Sequence, residues 1–361
     1  MSVTELTEAR TSDLHVSQIE PLPSPRELLD ELPASAAALH HVERSRAAVR
    51  AALLGIDDRL LVIVGPCSIH DVDAGLEYAH RLAGVAERLQ DRLLVVMRTY
   101  FEKPRTTVGW KGLVNDPHLD GSHDIATGLR RARRFLRDVV DLGLPTSTEF
   151  LEPISPQYLA DLISWGAIGA RTAESQIHRQ LASGLSMPIG FKNGTDGSLD
   201  VAIDGCTAAG AAQSFLGIDD DGRAALVRTS GNPDAHVILR GSSSGPNYSA
   251  EHVRAAAERL RAAAMPARVM VDASHGNSGK DHVRQQAVAH ELAEQIAAER
   301  VTGVPTVAGV MLESFLVGGA QKLDARPGRP ELTYGQSVTD ACMSWDATVE
   351  VLNHLAKATT P

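Results

Sequence analysis

Residues 60–71 read LLVIVGPCSIHD: an unbroken aliphatic run, a Gly-Pro stop, and then a cysteine, a histidine and an aspartate. A short apolar run without alternation describes a strand buried on both faces, as in a parallel sheet covered by helices. The same phrase recurs along the chain. LLVVM ends at Arg98, LPTST at Glu149, WGAIGA at Arg171, PIGF at Lys192, HVIL at Arg240, RVMVDAS at His275 and VAGVML at Glu313. Eight buried strands, each ending on a polar group and each followed by a helical stretch, predict an α/β fold, a (β/α)8 TIM barrel. The site then sits on the face formed by the C-terminal ends of the strands. The spacing predicts strands near 60–66, 93–99, 144–149, 166–170, 188–192, 236–240, 268–273 and 306–312, and a last helix near 338–356.

Before the barrel, PSPRELLDELP (23–33) predicts a short helix capped by Ser24 with Pro25 in its first turn. A second helix follows, capped by Ser35 and closed by Gly55. Residues 1–20 are polar and read as an arm. The division expected is 1–58 as an N-terminal extension for regulation or assembly and 59–361 as the catalytic barrel. Two segments break the barrel's alternation. Glu102–Gly121 is a long loop on the functional face, and 213–235 holds SFLGIDDDGRAALVRTSG, which reads as an inserted β-hairpin.

The chain has 361 residues and a formal net charge of −10, which argues against a nucleic-acid or anionic-membrane binder. Its three cysteines fit no disulfide framework, its start carries no apolar leader, and no run reaches membrane-spanning length. These features predict a soluble, reduced, cytoplasmic protein.

Cys67, His275, Glu313 and Asp340 are candidate metal ligands. One thiolate, one imidazole and two carboxylates suit a divalent transition ion, Mn²⁺ foremost with Fe²⁺, Co²⁺ or Zn²⁺ as other candidates, better than Mg²⁺ or Ca²⁺. Asp340 is expected at the start of the last helix. The cations Arg98, Lys103, Arg105, Arg171, Lys192 and Arg240 stand at or just past strand ends, where like charges need bound anions. The Gly/Ser loop RGSSSGPNY after Arg240 is expected to cradle a phosphate through its N–H groups. Glu149 falls inside the cationic ring. RRARRFLR (130–137) reads instead as a solvated helix face.

GPCSIHD (65–71), MRTYFEKPRTTVGWKGLVNDP (97–117), PTSTEFLEPISPQY (145–158), GARTAESQIHRQLASGLSMPIGFKNGTDGS (169–198), VDASHGNSGKDH (271–282), GVMLESFLVGGAQ (309–321) and SVTDACMSW (337–345) resemble the type I 3-deoxy-D-arabino-heptulosonate 7-phosphate (DAHP) synthases. The resemblance implies a metal-dependent condensation of phosphoenolpyruvate with D-erythrose 4-phosphate and water, giving DAHP and phosphate at the head of the shikimate pathway. It implies Cys67, His275, Glu313 and Asp340 as metal ligands. Arg98, Lys103, Arg171, Lys192 and Arg240 would hold phosphoenolpyruvate, and Lys103, Pro104, Arg105 and Thr106 the sugar phosphate. Lys103 is the candidate proton donor to the new alkoxide, with Asp340 or a metal-held water competing, and Glu149 orients the attacking water.

KPRTT argues against the related octulosonate 8-phosphate synthases, and a non-catalytic relative would have lost ligands that are all kept here. The resemblance also implies a homodimer or homotetramer and feedback inhibition by an aromatic amino acid near the N-terminal extension and the hairpin. Ser186 matches the wall of that pocket. Gly217 stands where phenylalanine-sensitive members carry Ser and tyrosine-sensitive members Gly, so tyrosine is the inhibitor expected.

Overall fold

The computed structural model describes residues 11–323 and 331–359. Two helices come first, α1 (Pro25–Glu31) and α2 (Ala36–Leu54). Ser24 and Glu27 close a reciprocal capping box on α1. Ser35 caps α2, and Gly55 ends it at φ 75°, a left-handed turn that a side chain would strain.

The barrel then runs β1 (Leu60–Gly65), α3 (Val72–Leu89), β2 (Leu93–Arg98), α4 (Ile125–Asp141), β3 (Thr146–Glu149), α5 (Pro156–Leu159), β4 (Trp165–Ile168), α6 (Gln176–Gly184), β5 (Ile189–Lys192) and α7 (Asp200–Gly210). The hairpin β6 (Ser214–Ile218) and β7 (Ala224–Arg228) interrupts it. β8 (Ala235–Leu239), α8 (Ala250–Ala262), β9 (Val269–Asp272), a single turn α9 (His275–Ser278), α10 (His282–Thr302) and β10 (Val307–Glu313) complete the ring. A small pair, β11 (Val317–Ala320) with β12 (Gln336–Ser337), precedes α11 (Trp345–Ala358).

The eight barrel strands are all parallel and close in the order β1-β10-β9-β8-β5-β4-β3-β2. Alternation assigns the two faces of β1. Leu61 and Ile63 point into the lumen with Val96, Trp165, Ile238, Met270 and Met311. Leu60, Val62 and Val64 join the layer between sheet and helices. Each Leu or Ile buried in this way contributes about 1.5–3 kcal/mol relative to exposure. Val49, Ala52 and Leu53 of α2 belong to the lumen cluster, so α2 plugs the barrel at the strands' N-terminal ends. The lumen is thereby a packed core with its polar opening at one end only.

Two expectations change. The last helix begins at Trp345, capped by Ser344, because residues 338–344 carry strand-like bridges and turns instead; Asp340 therefore sits on a loop. Arg133 in the basic run is not solvated. It is 1% exposed, and its guanidinium donates to Leu32 O, Tyr158 O and both oxygens of Asp161. Arg133 clamps α1 and α5 onto α4, and Arg130 adds a more exposed pair to Glu31 of α1, with Nε donating to Oε2 at 2.8 Å. Of the polar arm, residues 1–10 lie outside the described residues and 11–20 are exposed. No helix among the described residues is long and apolar enough to cross a membrane.

Candidate active site

Strand ends place the donors. β1 turns at Gly65-Pro66 and delivers Cys67, β10 ends on Glu313, and these two strands are neighbours where the ring closes. The loop before α11 brings Asp340 to the same point. Cys67, Glu313 and Asp340 each offer a ligand atom, all within 4.8 Å of one another. His275 is not within that trio, yet its Nε2 lies 3.9 Å from Glu313 Oε1. The other ring nitrogen fixes the tautomer. Nδ1 lies 2.8 Å from Asp272 Oδ2 and 2.7 Å from Ser274 Oγ, and that Oγ donates to Asp272 Oδ1. A proton held on Nδ1 leaves the Nε2 lone pair free, the arrangement common to metal-bound histidines. His275 also holds φ at 52°, a left-handed backbone uncommon outside glycine and typical of functional sites.

The donor set fits a divalent transition ion. Burial and the Glu313 carboxylate push the Cys67 thiol up, and Lys103 opposes them; a bound divalent cation would reverse that balance and favour the thiolate. Asp340 is half-buried, which alone would raise its carboxyl. Lys103, Lys280 and His275 instead hold it below the ordinary carboxylate value.

Next to the trio opens a cavity of about 260 Å³. Its wall carries Lys103, Pro104, Arg105, Thr106, Glu149, Arg171, Lys192, Arg240, His275 and Asp340, ten of the residues expected from sequence. Lys103 Nζ donates to Cys67 O at 3.2 Å. Burial works against its charge, but the surrounding Cys67, Glu313 and Glu149 raise its pKa and keep it protonated. Glu149 is buried at the end of β3, where a Cβ added to Gly169 would stand 2.2 Å from its Oε1, so a side chain there would have to displace the carboxylate. Lys192 Nζ donates to Asp272 Oδ2 at 2.8 Å. Arg171 donates to Pro104 O at 2.8 Å and so ties the KPRTT loop across the mouth. Burial, with Arg171 adding to it, lowers the Arg240 pKa, as expected of two cations facing one empty volume.

Arg98 does not line this cavity. It is 1% exposed, with Nη2 donating to Glu313 Oε1 at 3.1 Å, Nε to Pro66 O at 3.3 Å, and its guanidinium 4.0 Å over the Tyr100 ring. Its Nη1 is buried with no partner, and so is the Tyr100 hydroxyl.

The Gly/Ser loop departs from expectation. Gly241 N donates to Asn247 Oδ1, Ser242 N to Gly245 O, Ser243 N to Thr195 O and Ser244 N to Ser242 Oγ. Those N–H groups are committed within the protein, and only Arg240 of the loop reaches the cavity wall. Sequence reasoning also missed Asp272, Lys280 and Thr195. Asp272 was legible as an acid ending a buried strand, and Lys280, whose Nζ meets Asp340 Oδ1 at 3.2 Å, as a cation just past His275.

Ser186 is exposed, in a turn held by Asn232, whose Nδ2 donates to Ala182 O, Leu185 O and Met187 O at the hairpin's exit. Gly217 lies in β6, opposite Ala225. The hairpin's turn is gripped by α1, since Arg26 N donates to Asp220 O and Arg26 Nε to Asp221 Oδ1 at 2.7 Å.

A closed parallel barrel with a thiol, an imidazole and two carboxylates beside a cation-lined cavity has the layout of a (β/α)8 enzyme. The DAHP synthetase I family model matches residues 37–353, and the chain belongs to that family. It is 54% identical over 354 residues to a phospho-2-dehydro-3-deoxyheptonate aldolase of Corynebacterium glutamicum, covering 97% of this chain and 95% of that protein. The Phe-sensitive enzyme of Escherichia coli with the same name is 54% identical over 349 residues, with 97% of each chain covered. A Trp-sensitive one from Enterobacter agglomerans is 52% identical. The solved structure of the Francisella tularensis aldolase superimposes with a TM-score of 0.91 at 47% identity, covering 95% of this chain and 98% of that one.

Proposed function

We propose that the chain condenses phosphoenolpyruvate with D-erythrose 4-phosphate and water to give DAHP and inorganic phosphate, opening the shikimate pathway. The observation that carries this reading is one cavity wall joining Lys103, Arg171, Lys192 and Arg240 to a Cys67–Glu313–Asp340 cluster with His275 beside it. Two phosphorylated substrates need such a density of cations, and an aldehyde acceptor needs an electrophilic catalyst.

Cys67, His275, Glu313 and Asp340 would hold a divalent transition ion, Mn²⁺ foremost, which when bound would supply Lewis-acid polarisation of the sugar's aldehyde carbonyl. C3 of phosphoenolpyruvate attacks that carbon, and the new alkoxide takes its proton from Lys103, which its neighbours keep charged. C2 is left electron-poor. Glu149 orients a water to add there, and collapse of the adduct breaks the C2–O bond and releases phosphate. Arg171 and Arg240 hold the phosphoryl group throughout, and Arg98, whose Nη1 has no partner in the protein, is the further phosphoenolpyruvate contact. Pro104, Arg105 and Thr106 receive the sugar phosphate.

The test is phosphate release from both substrates with chelator-treated protein. None is expected until Mn²⁺ returns, and Cys67→Ala should lose about 10³-fold in rate while keeping its melting temperature. Phosphate release without the sugar, or turnover indifferent to chelation, rejects the reading.

The relatives named Phe- and Trp-sensitive support feedback control by an aromatic amino acid. Gly217 supports tyrosine here. A Cβ at that position would meet Val227 Cγ2 at 2.7 Å, so Gly217→Ser must displace a neighbour. Stronger inhibition by tyrosine than by phenylalanine or tryptophan is expected, with changed preference in Gly217→Ser and partial relief when residues 1–30 are removed; a parent blind to tyrosine ends the idea. Exposed Leu216 and Leu226 on the hairpin support a homodimer or homotetramer, read by sedimentation.

A further inference from the structure

Asp272 is the most connected buried charge of the site, and none of the proposed chemical steps uses it. It ends β9 at 1% exposure. One oxygen, Oδ2, lies 2.8 Å from both Lys192 Nζ and His275 Nδ1. The other, Oδ1, accepts from Ser274 N at 2.9 Å and Ser274 Oγ at 2.6 Å. The Ser274 contacts pin the carboxylate in place. It cannot swing toward one of these two donors without leaving the other.

We propose that Asp272 is a positioning residue that couples the two halves of the site, so that ligation at His275 Nε2 and anion binding at Lys192 strengthen each other. This rests on the reading of His275 as a metal ligand and Lys192 as a phosphoenolpyruvate contact. The physical reason is competition for one acceptor. A cation on Nε2 draws density from the imidazole and makes Nδ1–H a stronger donor, so it takes a larger share of Oδ2. Lys192 then keeps less of its partner and presents more charge to an anion in the cavity. By linkage the effect runs both ways with the same factor: an anion that takes up Lys192 frees Oδ2 for the histidine and tightens the metal.

The measurement is a square of binding titrations on chelator-treated protein: Mn²⁺ with and without phosphoenolpyruvate, and phosphoenolpyruvate with and without Mn²⁺. In the parent the two should tighten each other by about fivefold or more. Asp272→Asn should weaken Mn²⁺ by about 10–100-fold and bring the coupling factor to one. Should Asp272→Asn fail to fold, Lys192→Met gives the answer. Lys192 touches no proposed ligand atom, yet removing it leaves Oδ2 to His275 alone, so Mn²⁺ should bind severalfold tighter without substrate. Unchanged or weaker Mn²⁺ binding in Lys192→Met, or coupling that survives in Asp272→Asn, overturns the proposal. A parent that binds both ligands with a coupling factor of one also overturns it while sparing the functional reading. A parent that binds neither removes the functional reading itself.

Discussion

Two arginines in this molecule are equally buried, at 1% exposure, and they stand in different regions. Arg133 sits where α4 meets α1 and α5, and Arg98 ends β2 under the active site. Arg133 spends its guanidinium on two carbonyls and a bidentate carboxylate. Arg98 makes two hydrogen bonds and leaves Nη1 with nothing. A buried donor without a partner costs about 1–3 kcal/mol; Arg98 carries that cost beside the cavity, whereas Arg133 does not. Burial alone therefore does not separate a structural arginine from a functional one. Between these two, incomplete hydrogen bonding together with a place beside the cavity does.

The largest effect expected from this contrast is on turnover. In Mn²⁺-loaded protein, Arg98→Ala should lower kcat/KM for phosphoenolpyruvate by about 10²–10³-fold, roughly 3–4 kcal/mol of transition-state stabilisation, with a smaller loss of stability than in Arg133→Ala because a bound ion would still face Glu313. Arg133→Ala should invert the pattern. Losing a buried partner there costs about 3 kcal/mol of stability, read by denaturant unfolding, with kcat within about twofold of the parent. Equal losses of activity in the two variants would break the distinction.

A third buried charge sharpens it with a smaller effect. Glu102, at the root of the KPRTT loop, accepts from Ser155 Oγ and Glu152 N, but burial, reinforced by the nearby Glu152 carboxylate, pushes its pKa up from 4.5 to about 8. The folded state thus holds a proton that the unfolded chain releases. Its contribution to stability is fully present below about pH 4.5 and is lost as pH rises through about 8, with a slope of up to about 1.4 kcal/mol per pH unit. Glu102→Gln should flatten that part of the stability-pH curve; an unaltered curve would mean the carboxyl ionises normally.

The barrel was legible because a doubly buried parallel strand has no alternation and must stop on a polar residue to leave the core. The hairpin was legible from two runs flanking Asp219–Gly222. What escaped depended on partners distant in sequence. Arg133 looked solvated among four other arginines, although it stands four residues after Leu129 and three before Leu136, on the apolar stripe of α4. Asp272 was overshadowed by the histidine three positions later. The N–H groups of the Gly/Ser loop looked free because their acceptors, Asn247 and Thr195 among them, come from its own far end and from another βα loop.

The seam between β1 and β10 carries one more consequence. Cys67 and Cys342, whose Sγ receives the Cys67 N–H at 3.4 Å, are 275 residues apart in the chain. During synthesis every strand from β1 to β10 leaves the ribosome before Asp340 does, so the Cys67–Glu313–Asp340 cluster comes into being only when the ring shuts. The donor trio is therefore a product of barrel closure and not of any local segment: a chain cut short anywhere before residue 340 carries the thiol without the cluster.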